Sequence, residues 1–211
     1  MSAELAGTGA RLRAKSGVQR VPSASLDLFI FRHFLDPELC QRLIGLIDAN
    51  RRPSTIADDI GDPQYRTSET CDLDSANPDV ARVDDAICWL LGLPADLGEP
   101  IQGQRYAPGQ EFKVHTDTFE PMGPDYFEHC AERGNRSWTV MCYLNEPEDG
   151  GATRFRTINK IVQPEVGKLL AWNNLLADGR PNPATLHQGM KVRRGTKYIV
   201  TKWFRERATA R

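Results

Sequence analysis

Tyr106-Ala-Pro-Gly-Gln-Glu-Phe-Lys-Val-His115-Thr-Asp117 is the stretch from which the rest of this chain is best understood. Ala-Pro-Gly-Gln has turn chemistry, and Glu111 to Asp117 has strand character. Side chains alternate along a strand, so His115 and Asp117 are expected on the same face. A neutral imidazole and a carboxylate aimed at one point supply two thirds of a two-histidine, one-carboxylate metal site. Such a set suits ferrous iron and leaves the far side of the ion open. The chain has four histidines. His187, in Leu186-His187-Gln188-Gly189, is the best third ligand. His33 sits just before a helix, and His129 lies in an irregular stretch away from any strand.

On the C-terminal side, Ser137 to Asn145 reads as a buried strand, and Glu148-Asp-Gly-Gly turns the chain into Ala152 to Phe155. Ile161-Val162, Lys168 to Trp172, Ala184 to Val192 and Lys197 to Phe204 are further short strands with Pro or Gly between them. This spacing predicts a mainly β, α+β domain built as a jelly-roll sandwich of the cupin kind. A turn at Arg193-Arg194-Gly195 would make the last two strands a hairpin, with His187, Gly189 and Lys197 on one face. Lys197 would then lie roughly 13 Å along the sheet from His187. A small dicarboxylate fits that gap, with one end on a metal and the other on the ammonium. A buried lysine without such a partner is costly.

On the N-terminal side, Leu26 to Phe34 is strand-like. Asp36-Pro37 then starts an amphipathic helix over 37–50. Asn77-Pro78 starts a second helix, striped by Val80, Val83, Ile87, Leu90 and Leu91 and stopped by Gly92. Two helices ahead of the strands predict a helical layer on the major sheet. Arg51 to Thr70 reads as a long polar loop entering a short strand. Residues 118–135 show no period and read as a lid.

At 211 residues the chain is expected to hold one domain over 26–211, after a frayed tail at 1–25 that lacks the apolar region of a secretory signal. A net charge of -1 gives no reason to expect nucleic acid or an anionic membrane as partner. No apolar run approaches the roughly 20 residues of a membrane helix. The five cysteines form no CxxC and no even framework, which points to reduced thiols in the cytoplasm.

An ordered series of motifs then resembles a known family. It runs Arg66-Thr67-Ser68, Tyr106-x-x-Gly109-Gln110, His115-x-Asp117, Arg136-x-x-Thr139-x-x-x-Tyr143-Leu144-Asn145 and Gly150-Gly151-x-Thr153-x-Phe155. Trp172, His187-x-Gly189 and Gly195-x-Lys197 complete it. Across roughly 26–205 this is similar to the prolyl 4-hydroxylases of the collagen, plant and bacterial branch, which are iron and 2-oxoglutarate dioxygenases. The resemblance implies a double-stranded β-helix with Fe(II) on His115, Asp117 and His187. It also implies 2-oxoglutarate on Lys197 with help from Tyr106 and Thr139, O2 as co-substrate, and ascorbate dependence. Asp117 argues for hydroxylation, because related halogenases replace this carboxylate by a small residue. The implied reaction hydroxylates a proline-containing peptide or protein and releases succinate and CO2. Phe112, Lys191 and Arg205 depart from the Tyr, Pro and His that several members carry at those places.

Other readings stay open on the residues alone. The same site could hydroxylate a free amino acid or another small molecule. A His-Asp-His set could also hold zinc, as in a hydrolase or a cupin-like binding module, although that leaves Lys197 and Tyr106 unexplained. Arg66, Arg136 and Arg156 could meet substrate or form surface ion pairs. Trp138, Trp172 and Tyr143 read as core, and Trp203 as core or cleft.

Overall fold

The structure is a computed structural model and describes residues 3–54, 62 and 64–209. Along the chain, α1 (Ala3–Ala14) and β1 (Val18–Arg20) precede β2 (Leu28–Phe31), α2 (Pro37–Asn50), β3 (Arg52–Pro53), β4 (Glu69–Asp72) and α3 (Pro78–Leu91). Then follow β5 (Gln102–Tyr106), β6 (Phe112–His115), α4 (Pro124–Cys130), β7 (Arg136–Tyr143), β8 (Asp149–Gly150), β9 (Thr153–Phe155) and β10 (Lys160–Val162). The last strands are β11 (Leu169–Asn173), β12 (His187–Gly189), β13 (Val192–Arg194) and β14 (Lys197–Arg205).

Helix boundaries follow local chemistry. The Asp36 carboxylate accepts from the Leu39 amide at 2.8 Å, and Pro37 opens α2 without losing a needed donor. Asn77 accepts from the Asp79 amide at 3.0 Å to start α3, and Gly92 ends it at φ 70°.

The strands form an eight-stranded sheet in the order β1-β2-β11-β7-β14-β5-β4-β3 and a four-stranded sheet in the order β10-β9-β12-β6, with β13 and β8 paired separately. Two cores lie on opposite faces of the large sheet, and strand alternation decides which residue joins which. Val140 and Cys142 of β7, with Leu169 and Ala171 of β11, pack against Leu43, Ile47, Val83 and Ile87 of the helices. Their neighbours Met141, Tyr143, Leu170 and Trp172 point between the sheets. The result is the expected jelly roll, with helices covering the major sheet.

The helical layer sits close because β5 has glycine where α2 crosses it. A Cβ on Gly103 would run into the Ile47 side chain. Gly103→Ala is therefore expected to lower stability by about 1–3 kcal/mol. Adding Ile47→Ala to it should cost less than the sum of the two single changes, as read from urea midpoints.

The structure differs from the sequence expectations at four places. Residues 3–14 of the expected tail form α1, with Leu5 and Leu12 buried in the helical core, and β1 pairs with β2. No hairpin forms about Arg193-Arg194-Gly195. Val192 pairs with Gly150 of β8, whereas β14 runs between β7 and β5 with Lys197 opposite Tyr106. Seven of the nine residues of β14 from Ile199 on are buried, so both edges of the strand need partners. The lid contains α4, started by Pro124, and the strand carrying His115 stops there, leaving Asp117 in a bend. The polar stretch Arg51 to Thr70 falls partly outside the described residues. Among those described, no helix is long and apolar enough to cross a membrane.

Candidate active site

His115 and His187 meet because their strands pair. β6 and β12 are antiparallel neighbours with these two residues directly opposite, so both imidazoles leave the same face of the small sheet, 4.3 Å apart between ring centres. Asp117 arrives from the bend after β6. Its Oδ2 lies 4.0 Å from His187 Nε2 and accepts from Thr139 Oγ1 of β7 at 2.7 Å. One ligand atom from each of His115, Asp117 and His187 falls within 4.8 Å of the others.

The donor set suits a divalent metal. His115 Nδ1 lies 2.7 Å from the Lys113 carbonyl, and His187 Nδ1 lies 2.9 Å from the Thr185 carbonyl. Each Nδ1 therefore carries the proton, and each Nε2 keeps a lone pair for an ion. Burial, then the charge of His187, pushes the His115 imidazole down to about 3, so it stays neutral. Burial also acts on Asp117 and would raise it. The two histidines, the Thr139 hydrogen bond and Arg136 outweigh that and hold the carboxyl below its usual range. Phe112 stacks on His115 at 3.5 Å, and Trp172 meets His187 edge-on at 5.0 Å, fixing both rings.

Lys197 reaches the same cavity from β14. It is 1% exposed, and its ammonium lies 4.6 Å from the Tyr106 ring centre and 5.7 Å from that of Tyr143. Among the described residues no carboxylate faces it, and burial alone pushes its pKa down to about 7. Gly189 leaves space beside it, since an added Cβ would sit 3.6 Å from Lys197 Nζ. A buried cation beside open space, in a cavity also lined by His115, Asp117 and His187, fits an anionic ligand. The hairpin was the wrong route to this arrangement, but Lys197 and the histidines do share one cavity.

Comparison with known proteins agrees with this donor set. Residues 101–205 match the model of the 2OG-Fe(II) oxygenase superfamily. The chain belongs to that superfamily. It is 33% identical over 153 residues to the human prolyl 4-hydroxylase subunit alpha-1, covering 72% of this chain and 28% of the human one. It is 31% identical over 201 residues to prolyl 4-hydroxylase 2 of Arabidopsis thaliana, covering 83% of this chain and 66% of the plant protein. Among solved structures, the viral collagen prolyl hydroxylase of Paramecium bursaria Chlorella virus-1, in its 2-oxoglutarate complex, superposes with a TM-score of 0.67 at 25% identity. That match covers 84% of this chain and 95% of the viral one. The oxygenase is thus a 2-oxoglutarate-dependent dioxygenase domain of prolyl 4-hydroxylase type, with Fe(II), 2-oxoglutarate and O2 as its cofactors and co-substrates.

At the mouth of the oxygenase cavity, Trp203 lines the wall and is 8% exposed. Arg136 stacks over it at 4.0 Å and grips Glu99 through two hydrogen bonds of 2.8 Å. Burial pushes Glu99 up, but Arg136 and then Arg205 pull it below the ordinary carboxylate range. Arg205 is itself buried, donating to the Gly134 carbonyl at 2.8 Å and lying 2.7 Å from Glu99. Arg66 lines the same cavity, lies over Phe112 at 4.9 Å and donates to Gln102 at 3.0 Å. Arg156 reaches Gln188 at 3.2 Å on the exposed side. His129 stacks near Phe119 in α4 and is not in the ligand cluster.

Three partners of this oxygenase site were not anticipated from the sequence. Glu99 ends a helical region with no motif around it. Gln104 accepts the Tyr106 hydroxyl at 2.7 Å, so that hydroxyl already has a partner inside the protein. Asn174 donates to Thr139 at 2.7 Å. Only the alternation of β5 could have flagged Gln104, because it shares a face with Tyr106.

Proposed function

We propose that the protein hydroxylates prolyl residues, at the 4-position, in a peptide or protein substrate. The observation that carries this reading is the convergence of His115, Asp117 and His187 on one cavity that also holds the buried ammonium of Lys197. In this reading the three clustered residues hold Fe(II). Lys197 binds the distal carboxylate of 2-oxoglutarate. When bound, iron and 2-oxoglutarate supply the oxidising chemistry, in which decarboxylation to succinate and CO2 accompanies transfer of one oxygen atom of O2 into a substrate C–H bond.

The protein's own part is orientation and exclusion of water. Thr185 and Lys113 carbonyls fix the histidine tautomers. Thr139 lines the same cavity and acts on the site through its hydrogen bond to Asp117. Tyr106 can meet 2-oxoglutarate by exchanging its bond to Gln104. Trp203, held flat by Arg136, offers an aromatic face to a substrate ring, and Arg66 offers donors to a peptide backbone. The Arabidopsis and human relatives named prolyl 4-hydroxylases support a proline-containing substrate. Ascorbate dependence belongs to the same proposal. Free thiols at all five cysteines support a reducing, cytoplasmic setting.

The test is mass spectrometry after incubation with Fe(II), 2-oxoglutarate and either a proline-rich peptide panel or free amino acids. One added oxygen on a peptide prolyl residue is expected. Addition to free amino acids alone would overturn the peptide reading and leave the oxygenase chemistry standing.

A further inference from the structure

Asp117 Oδ2 accepts from Thr139 Oγ1, and Thr139 Oγ1 accepts from Asn174 Nδ2, each at 2.7 Å. Thr139 is 1% exposed and Asn174 is 0% exposed, so both bonds are made by buried side chains. The direction of the chain is forced. An amide nitrogen cannot accept, so the single hydroxyl proton of Thr139 must go to Asp117. Turning the Asn174 amide over would set two acceptors against that one proton. The orientation seen leaves Asn174 Oδ1 without a hydrogen bond among the described residues, and still keeps the carboxylate bond.

Asn174 also connects to the second histidine. Its backbone N–H donates to the Ser137 backbone carbonyl of β7, and its backbone carbonyl accepts from the Asn182 backbone N–H, both at 2.8 Å. The Asn182 carbonyl accepts from Thr185 Oγ1 at 2.7 Å, and the Thr185 carbonyl holds His187 Nδ1. One asparagine thus lies at the junction of two paths, one ending on Asp117 and the other on His187.

From this geometry we infer that Asn174 and Thr139 are positioning residues that set the rotamer and hydrogen-bonding state of the iron carboxylate. The inference rests on the assignment of His115, Asp117 and His187 as iron ligands. Thr139 leaves one carboxylate oxygen lone-pair direction occupied, so the group presents itself to the ion in a single orientation. Outer partners of metal ligands act in this way by removing alternative rotamers and tuning ligand basicity.

The experiment is anaerobic calorimetric titration of the metal-free protein with Fe(II), run beside urea unfolding and the ratio of succinate formed to substrate hydroxylated. Thr139→Val keeps the shape and deletes the hydroxyl. It is expected to weaken Fe(II) binding about 10- to 100-fold and to raise the succinate ratio. Thr139→Ser should restore Fe(II) affinity to within about threefold, because the hydroxyl is what counts. Asn174→Leu keeps the backbone bonds that lead toward His187 and deletes only the side-chain bond to Thr139, so it should weaken Fe(II) binding as well. The Thr139→Val, Asn174→Leu double variant should be no weaker than Thr139→Val, since both side chains act through the one path to Asp117. Wild-type affinity in folded Thr139→Val, or losses that simply add in the double variant, would overturn the inference. Wild-type protein that is folded and binds no Fe(II) would instead remove the iron-site assignment and this inference with it.

Discussion

Lys197→Met is expected to raise the dissociation constant for 2-oxoglutarate by about 100- to 1,000-fold, the cost of removing one partner from a buried charge pair. The ammonium is 1% exposed and has no carboxylate facing it among the described residues, so a bound dicarboxylate would be its sole anionic partner. Fe(II) affinity should stay within about threefold, because Lys197 touches none of the three ligands. The same lysine sets a pH dependence. Burial pushes its pKa in the ligand-free protein down to about 7, while the ligand binds the protonated form. Below pH 7 the affinity is therefore flat. Above it, each binding event must take up a proton, and the dissociation constant rises about tenfold per pH unit. The stability of the ligand-free protein moves the other way. Between pH 7 and 10.5 the unfolded chain holds the Lys197 proton and the folded one does not, so this residue makes stability rise with pH across that window. Lys197→Met should flatten both trends in calorimetric and thermal measurements. A Lys197→Met protein that binds 2-oxoglutarate as tightly as wild type would place the distal carboxylate elsewhere.

What could be read from the sequence was local. Asp36-Pro37 and Asn77-Pro78 announce α2 and α3 because a side-chain acceptor and a missing N–H act within one turn. The clustering of His115, Asp117 and His187 was legible through residue type and spacing. Strand partnership was not legible. Lys197 follows Gly195 closely enough to suggest a hairpin, yet its strand lies in the other sheet beside Tyr106, because the buried run Ile199 to Arg205 requires a neighbour on each edge. Asp117 lies beyond the end of its strand, and it still meets His187 because Thr139 from β7 draws the carboxylate inward. Nothing near Asn174 in the chain points to Thr139, since the two are brought together by the pairing of β11 with β7. The helix at residues 3–14 escaped notice because its apolar residues are few, although Leu5 and Leu12 both reach the core. Function in this protein is carried by pairings between distant strands, and those are the contacts a single sequence leaves least visible.

His187→Ala is expected to abolish succinate formation, to about 1,000-fold or more below wild type, by removing a ligand that the remaining two residues cannot replace. His187 is 6% exposed and wedged between Phe155, at 5.5 Å, and Trp172, at 5.0 Å, so deleting it opens a hole that no neighbouring ligand fills. His129 cannot substitute, because it stacks on Phe119 outside the cluster. The truncation also removes packing, so folding must be measured alongside activity. His187→Gln retains most of the volume and should fold with a urea midpoint nearer wild type while remaining inactive. Anaerobic titration of the Fe(II)-loaded protein with 2-oxoglutarate gives a readout independent of turnover. The visible charge-transfer absorption of an iron–2-oxoglutarate complex should appear in wild type and be absent in both His187 variants. In Lys197→Met it should appear only at much higher 2-oxoglutarate, because iron is held but the co-substrate is not. Succinate formation by folded His187→Gln at wild-type rate would remove His187 from the ligand set. A wild-type protein that holds zinc, ignores 2-oxoglutarate and hydrolyses its substrate would return the site to the metallohydrolase reading, in which the buried Lys197 has no role.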